Sequence, residues 1–297
     1  MTGQTPDPGP TDPGLISGRA MVAGVVGHPV RHSLSPRLHG AWIRALGLDA
    51  AYVPLDAGPD GLAAVARAVA CGALRGVNVT LPFKEQALAL ADAATDRARA
   101  CGAANVLVRR SDGTLLADNT DGEGLLFALR RQAPGWRADQ GPITVIGAGG
   151  AARGAVAALA AAGCTDIRIL NRTRSRAEAL AAVLPARAHG WDAADAAFEG
   201  AVTVINATSG QMSGEEPLPL PPPVAGGRVV MDMVYTPLET PFLAACRAMG
   251  HHPVDGLDML IGQAMPAFEA FYGIAPPDIP ARALLLAVLA PPSDVTP

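Results

Sequence analysis

The sequence predicts an α/β protein in two halves, and three observations carry that prediction. Short β-branched runs alternate with helix-like segments along most of the chain. The alternation restarts near residue 122, with a glycine-rich strand–turn–helix close to its head. The 297 residues are 49% hydrophobic and 17% charged, a folded composition with enough apolar material for two domains or one large one.

The first half begins with "MVAGVVG" (21–27), a strand, and "SPRLHGAWIRALG" (35–47), a helix with Ser35 at its cap and Pro36 in its first turn. There follow a strand at 50–55, a helix at 60–72, a strand at 75–82, a helix at 83–92 and a strand at 103–109, which ends in a turn at "SDGT". Because strand and helix alternate, the sheet is expected to be mostly parallel. Within "DNTDGEGLLFALRR" a helix opens at Asp121–Gly122.

In the second half, strand 142–147 leads into helix 150–163, and strand 166–172 into helix 174–184. Strands at 201–207 and 227–233 follow, then a helix near 239–249. The stretch "SGEEPLPLPPPVAGG" is a loop, since proline at that density forbids helix or central strand. Segments 256–273 and 279–290 read as helices, and the Pro/Gly/Asp/Thr-rich start, residues 1–17, as a disordered tail without an apolar signal core.

Charge and cysteine content exclude several classes. A net charge of -4 without a basic run argues against a nucleic-acid surface. No apolar stretch approaches the roughly 20 residues of a membrane span. Cys71, Cys101, Cys164 and Cys246 are far apart and lack metal spacing. They read as small buried side chains in a reducing cytosol, so no metal and a cytoplasmic location are expected.

"VIGAGGAARG" places Gly147, Gly149 and Ala152 in a G-x-G-x-x-A pattern between a strand and a helix. Gly147 permits the tight turn, Gly149 lets backbone approach a pyrophosphate, and the helix start offers N–H groups to the anion. The alternative is a plain tight turn. At the end of the next strand NAD enzymes usually carry an acid for the ribose hydroxyls. Here stand Asn171, Arg172, Thr173, Arg174 and Arg176, a set that suits a 2′-phosphate and hence NADP(H), unless these arginines are only a solvated helix start.

The chain holds one lysine, Lys84 in "NVTLPFKE", against 22 arginines. Hydride exchange at a carbinol carbon needs a group that trades the hydroxyl proton. Arginine, with a pKa above about 12, cannot do so near neutral pH, whereas lysine can. Lys84 is therefore either the proton-exchanging group or a surface lysine that escaped the compositional bias. Asp121 lies at the junction of the two halves, where clefts form, and can also cap its helix. Ser33 and Ser35, two hydroxyls before a helix, suit a carboxylate or simple capping. His28, His32 and His39 lack metal spacing and an evident nucleophile partner, and read as structural.

In their order, "GHPVRHSLSP", "GVNVTLPFKE", "GAANVL", "DNTDG", "GAGGAARG", "NRT", "NATSG", "MDMVY" and "GLDMLIGQA" make the chain resemble the shikimate dehydrogenase family over residues 24 to about 272. The resemblance implies NADPH-dependent reduction of 3-dehydroshikimate to shikimate, a small anionic cyclitol, in aromatic amino-acid biosynthesis. It implies a substrate domain of residues 18–121 completed by helices at 256–290, and a Rossmann-type NADP domain at 122–255. Lys84 and Asp121 would form the catalytic pair, with Lys84 as proton donor and acceptor. Ser33 and Ser35 would bind the substrate carboxylate. Thr80, Asn105, Asp121 and Gln263 would bind ring hydroxyls, with Tyr235 and Asn78 in the same pocket. Cofactor contacts would come from Gly147, Ala148, Gly149, Gly150 and Ala151, from Asn171, Arg172, Thr173 and Arg176, and from Ala207, Thr208, Ser209, Met233 and Gly256; Asp96 is a looser member of this group. The family includes monomers and homodimers. His28 departs from the small or amide residue expected there, and the tail before residue 20 has no family role. Two alternatives remain: a quinate/shikimate or aminoshikimate dehydrogenase using NAD, and a non-catalytic NADP-binding module.

Overall fold

The computed structural model describes residues 16–208 and 217–289, arranged around two six-stranded sheets. The first is built from β1 (Met21–Gly27), β2 (Ala50–Asp56), β3 (Gly76–Val79), β4 (Ala93–Ala94), β5 (Val106–Arg109) and β6 (Leu115–Asp118), in the order β2-β1-β3-β5-β6-β4. Helices α1 (Ser35–Ala45), α2 (Gly61–Ala70), α3 (Lys84–Leu90) and α4 (Asp96–Cys101) connect them. The β1–β2, β1–β3 and β4–β6 pairings are parallel. The β3–β5 and β5–β6 pairings are antiparallel, so the sheet is mostly parallel, as expected, with antiparallel pairing around β5. For β5–β6 the cause is local: the "SDGT" turn folds β6 straight back on β5 as a hairpin, leaving no room for a crossover helix.

Helix α5 (Asp121–Gln132) leads to the second sheet: β7 (Ile143–Ile146), β8 (Ile167–Asn171), β9 (Arg187–Gly190), β10 (Thr203–Asn206), β11 (Val229–Asp232) and β12 (His252–Val254). Its order is β12-β11-β10-β7-β8-β9, and every pairing is parallel. Helices α6 (Gly150–Ala161), α7 (Arg174–Ala181), α8 (Ala194–Phe198) and α9 (Pro241–Ala248) follow its strands. Strands β7 and β10 are buried at all four positions each, as a central parallel strand covered on both faces requires. The strand order reverses between β7 and β10. In open α/β sheets such a switch point opens a crevice at the carboxyl ends of the strands.

After β12 the chain returns to the first sheet through α10 (Leu257–Tyr272) and α11 (Ala281–Leu289). Leu257, Ile261, Phe268 and Phe271 of α10 pack into one core with Leu38 and Trp42 of α1 and Tyr52 of β2. Helix α5 serves both halves. Leu125, Ala128 and Leu129 join the core of the second sheet, while Phe127 packs on the first. Gly124 lets α5 and α10 close up: a Cβ there would come within 2.9 Å of the Gln263 Cβ and closer still to the Met259 carbonyl oxygen.

The two crossings between the halves are tied together. The Gln132 side chain accepts the Asp255 N–H at 3.1 Å and donates to the Asp255 carbonyl at 3.1 Å and to Asp258 Oδ2 at 2.8 Å. From α11, Arg282 pairs with Asp255 at 2.5 Å and with Asp258 at 2.9 Å.

Two capping expectations shift by one residue. Ser35 is the first residue of α1, with Leu34 at the cap, and the Ser33 hydroxyl accepts the Ser35 N–H at 3.3 Å. Asp121 is likewise the first residue of α5, after Thr120, and Asn119 Oδ1 accepts its N–H at 3.1 Å. Cys71 is exposed, unlike the other three cysteines. Residues 1–15, the greater part of the expected tail, and residues 209–216, the start of the proline-rich loop, lie outside the described residues.

Candidate active site

Lys84 and Asp121 meet because each opens a helix at the same end of the first sheet. Lys84 begins α3, just past the β3 turn, and Asp121 begins α5, just past β6. Their side chains form an ion pair, Lys84 Nζ to Asp121 Oδ2 at 2.6 Å. The two side chains stay 28% and 22% exposed, so a ligand can reach the pair. The Lys84 carbonyl accepts the Ala104 N–H at 2.8 Å, which fixes α3 beside Asn105.

Asn105 organises the ground behind the pair. Its Nδ2 donates to Asp121 Oδ1 at 2.8 Å and to Thr120 Oγ1 at 3.0 Å, with Gln263 Oε1 at 3.3 Å. Its Oδ1 accepts the Thr120 N–H at 2.8 Å. The Thr120 hydroxyl donates to the Gln263 carbonyl at 2.9 Å, joining α10 to the network. Asn78 Nδ2 donates to the Asn105 carbonyl at 3.3 Å. Asn78, Asn105, Thr120 and Gln263 are all buried, so these amides and hydroxyls are held in place by one another and not by solvent. Thr120 was the residue sequence reasoning missed, although it stands inside "DNTDG".

Ser33 and Ser35 occupy the loop after β1 and the start of α1, with Ser35 buried. Tyr235, from the loop after β11, reaches across to them. Burial raises the pKa of its phenol, and a hydrogen bond with the Leu34 backbone, between the two serines, works the other way. Thr80 follows β3, its N–H donating to the Val26 carbonyl at 2.9 Å. Next to the pair, burial and the Asp121 charge push the Cys101 thiol up to about 11, so it is an inert neighbour and not a nucleophile.

The second sheet supplies a dinucleotide crevice at its switch point. Gly147, at φ 114, turns the chain out of β7, and a Cβ there would sit 3.0 Å from Thr208 Cγ2. The turn therefore lies against Ala207 and Thr208, which follow β10. Asn206 Oδ1 accepts both the N–H and the hydroxyl of Thr208, at 3.0 and 2.8 Å. Added Cβ atoms at Gly149 and Gly150 would meet nothing within 4 Å. That leaves an open face in front of the α6 amides that lack intrahelical partners. Asn171 ends β8, and its Nδ2 donates to the Thr173 carbonyl at 2.8 Å. Arg172, Arg174 and Arg176 are exposed beyond it, with Arg174 paired to Glu178 at 2.9 Å. The sequence that ends β8, Asn171 to Arg176, has no carboxylate, and the cations it has fit a phosphorylated ribose. Met233 and Gly256 are neighbours, since the Gly256 N–H donates to the Val234 carbonyl at 3.1 Å. Asp96 stands apart on α4, fully exposed and 3.3 Å from Arg99. Ser209 lies outside the described residues.

Two family models match this chain, the shikimate dehydrogenase substrate binding domain over residues 25–107 and shikimate / quinate 5-dehydrogenase over residues 130–213. A shikimate dehydrogenase (NADP(+)) of Caulobacter vibrioides is 52% identical over 281 residues, which is 92% of this chain and 98% of that protein. The chain belongs to the shikimate dehydrogenase family. The Thermus thermophilus shikimate 5-dehydrogenase, solved in complex with NADP(H) and shikimate, aligns with a TM-score of 0.77 at 36% identity, covering 90% of this chain and 98% of that one. A 5-ketofructose reductase of Gluconobacter aligns with a TM-score of 0.78 at 30% identity, covering 92% and 100%. The shikimate dehydrogenase fold is thus shared with a protein named for a different ketone, and the choice of substrate rests on the site.

Proposed function

We propose that this protein is an NADP(H)-dependent dehydrogenase that interconverts 3-dehydroshikimate and shikimate. One observation carries the reading: the chain's only lysine forms a 2.6 Å pair with Asp121, at a partly exposed position where the two halves join. The relatives named shikimate dehydrogenase (NADP(+)) and the arginines after β8 support shikimate and NADP(H) over quinate and NAD.

In this reading Gly147 to Ala151 hold the pyrophosphate. Asn171, Arg172, Thr173 and Arg176 hold the phosphorylated ribose. Ala207, Thr208, Met233 and Gly256 border the nicotinamide. NADPH, when bound, supplies the hydride that adds to the C3 carbonyl carbon. Lys84 gives its ammonium proton to the oxygen that becomes negative and takes one back in the reverse direction. Asp121 holds the Lys84 side chain and accepts from a ring hydroxyl. Ser33 and Ser35 donate to the carboxylate, while Asn78, Thr80, Asn105 and Gln263 read the ring hydroxyls and Tyr235 closes the pocket. A site built of matched polar groups rejects analogues lacking those hydroxyls by as much as ~10⁴-fold, because its buried groups would be left unpaired. The substrate domain is taken as residues 18–121 with 256–290, and the cofactor domain as 122–255. Among the described residues no helix is long and apolar enough to cross a membrane, and a cytoplasmic location belongs to the same reading.

The test is absorbance at 340 nm with shikimate or quinate and NADP⁺ or NAD⁺. Shikimate with NADP⁺ is expected to be the best pair. Lys84→Arg keeps the charge and loses the proton step, so kcat should fall ~10²- to 10⁴-fold with KM little changed. Wild-type turnover in that variant would refute the assignment.

A further inference from the structure

Tyr52 lies on β2, outside every role assigned above, yet its hydroxyl sits between two parts of the proposed substrate site. It donates to Asn78 Oδ1 at 2.7 Å. The Ser35 side chain acts on the same phenol, opposing the rise that burial gives its pKa. Asn78 passes the contact on through the Asn105 carbonyl, at 3.3 Å, to the residue that holds Asp121. The phenol thus bonds the amide read as a ring-hydroxyl contact.

The ring that carries this oxygen is clamped. Tyr52 is buried, and His39 of α1 stacks on it with ring centroids 3.9 Å apart and planes inclined by 14°. His39 is itself fully buried, with Trp42, Phe268 and Phe271 around it. A phenol held this way cannot swing out of the pocket wall. Its hydroxyl is a fixed point against which the Asn78 side chain is oriented.

We propose that Tyr52 is a positioning residue of the substrate pocket, setting Asn78 in place through its hydroxyl. The proposal rests on the substrate reading given above and extends it to a residue that touches no substrate. Removing the hydroxyl leaves the buried Asn78 Oδ1 without its donor, and that side chain gains rotational freedom. The cofactor crevice on the second sheet loses nothing.

The experiment is Tyr52→Phe, which keeps the ring and its stacking on His39. KM for shikimate is expected to rise about tenfold, with KM for NADP⁺ within about twofold and kcat within about threefold of wild type. In an Asn78→Ala background the same change should add less than about twofold, because the group it orients is already gone. An unchanged KM for shikimate, a parallel rise for both ligands, or full multiplicativity with Asn78→Ala would overturn the proposal. If Tyr52→Phe does not fold, wild-type protein labelled with 3-fluorotyrosine replaces it. The fluorine signal of Tyr52 should then move on adding shikimate and stay fixed on adding NADP⁺, and indifference to shikimate refutes the role. Wild-type kinetics separate the two readings: no turnover of shikimate sinks the proposed function and this inference with it, whereas turnover with an unaffected Tyr52→Phe sinks the inference alone.

Discussion

His39→Phe gives the most quantitative check on the packing of the first half. His39 is fully buried, and neither ring nitrogen has a hydrogen-bond partner. Burial lowers its pKa from 6.5 to about 3. The groups packed against it are Trp42 of α1, Tyr52 of β2 and Phe268 and Phe271 of α10, of which Tyr52 alone titrates, and burial raises that phenol's pKa well above the ordinary value. No neighbour named there carries a charge that would favour the imidazolium. Between pH 6.5 and about 3 the unfolded chain therefore binds a proton at residue 39 that the folded chain does not. Stability is lost as pH falls through that window, by ~1.4 kcal/mol per pH unit, or about 2 kcal/mol between pH 6.5 and pH 5. Phenylalanine removes this dependence. At pH 8 its larger ring costs packing and its lack of unpaired nitrogens offsets that cost, so the decisive quantity is the difference between pH values and not the absolute stability. Urea titrations at pH 8 and pH 5, followed by tryptophan fluorescence with Trp42 5.4 Å from His39, read it directly. Wild type should lose about 2 kcal/mol more than His39→Phe over that range. An equal loss in both proteins, within about 0.5 kcal/mol, would show that residue 39 titrates normally and that the dry ring stack is not as described.

Gly124→Ala should gain ~1 kcal/mol of helix propensity and lose more to the forced separation of α5 from α10. Because Gln263 and Asp121 ride on those helices, kcat/KM should fall at least tenfold and Tm by a few degrees, and unaltered kinetics would count against the close contact at residue 124. Arg176→Ala should raise KM for NADP⁺ about tenfold while leaving the weak use of NAD⁺ unaffected, and equal losses with both cofactors would deny that residue its phosphate.

What could be read from the sequence followed from period and punctuation. The second half was legible because its central strands, "ITVI" and "TVIN", are short, β-branched runs beside glycine turns. Several of the elements the sequence does not announce lack those marks. Strand β9 is "RAHG" and β6 is "LLAD", with no β-branched residue in either, and α4 and α8 have six and five residues. They are ordered by neighbours, a constraint that propensity does not record. The candidate site divides the same way. Lys84, Asp121 and the serine pair stood out by residue type and position. Thr120 and Tyr52 did not, because their part depends on which buried amide each one touches.

The knot formed by Gln132, Asp255, Asp258 and Arg282 has a mechanical consequence. Both connections between the sheets pass through it, and Arg282, which pairs with both of its carboxylates, comes from α11, the last helix described. The chain's far end therefore helps set how stiffly the two jaws of the enzyme swing, although it lies outside the residues assigned to either ligand.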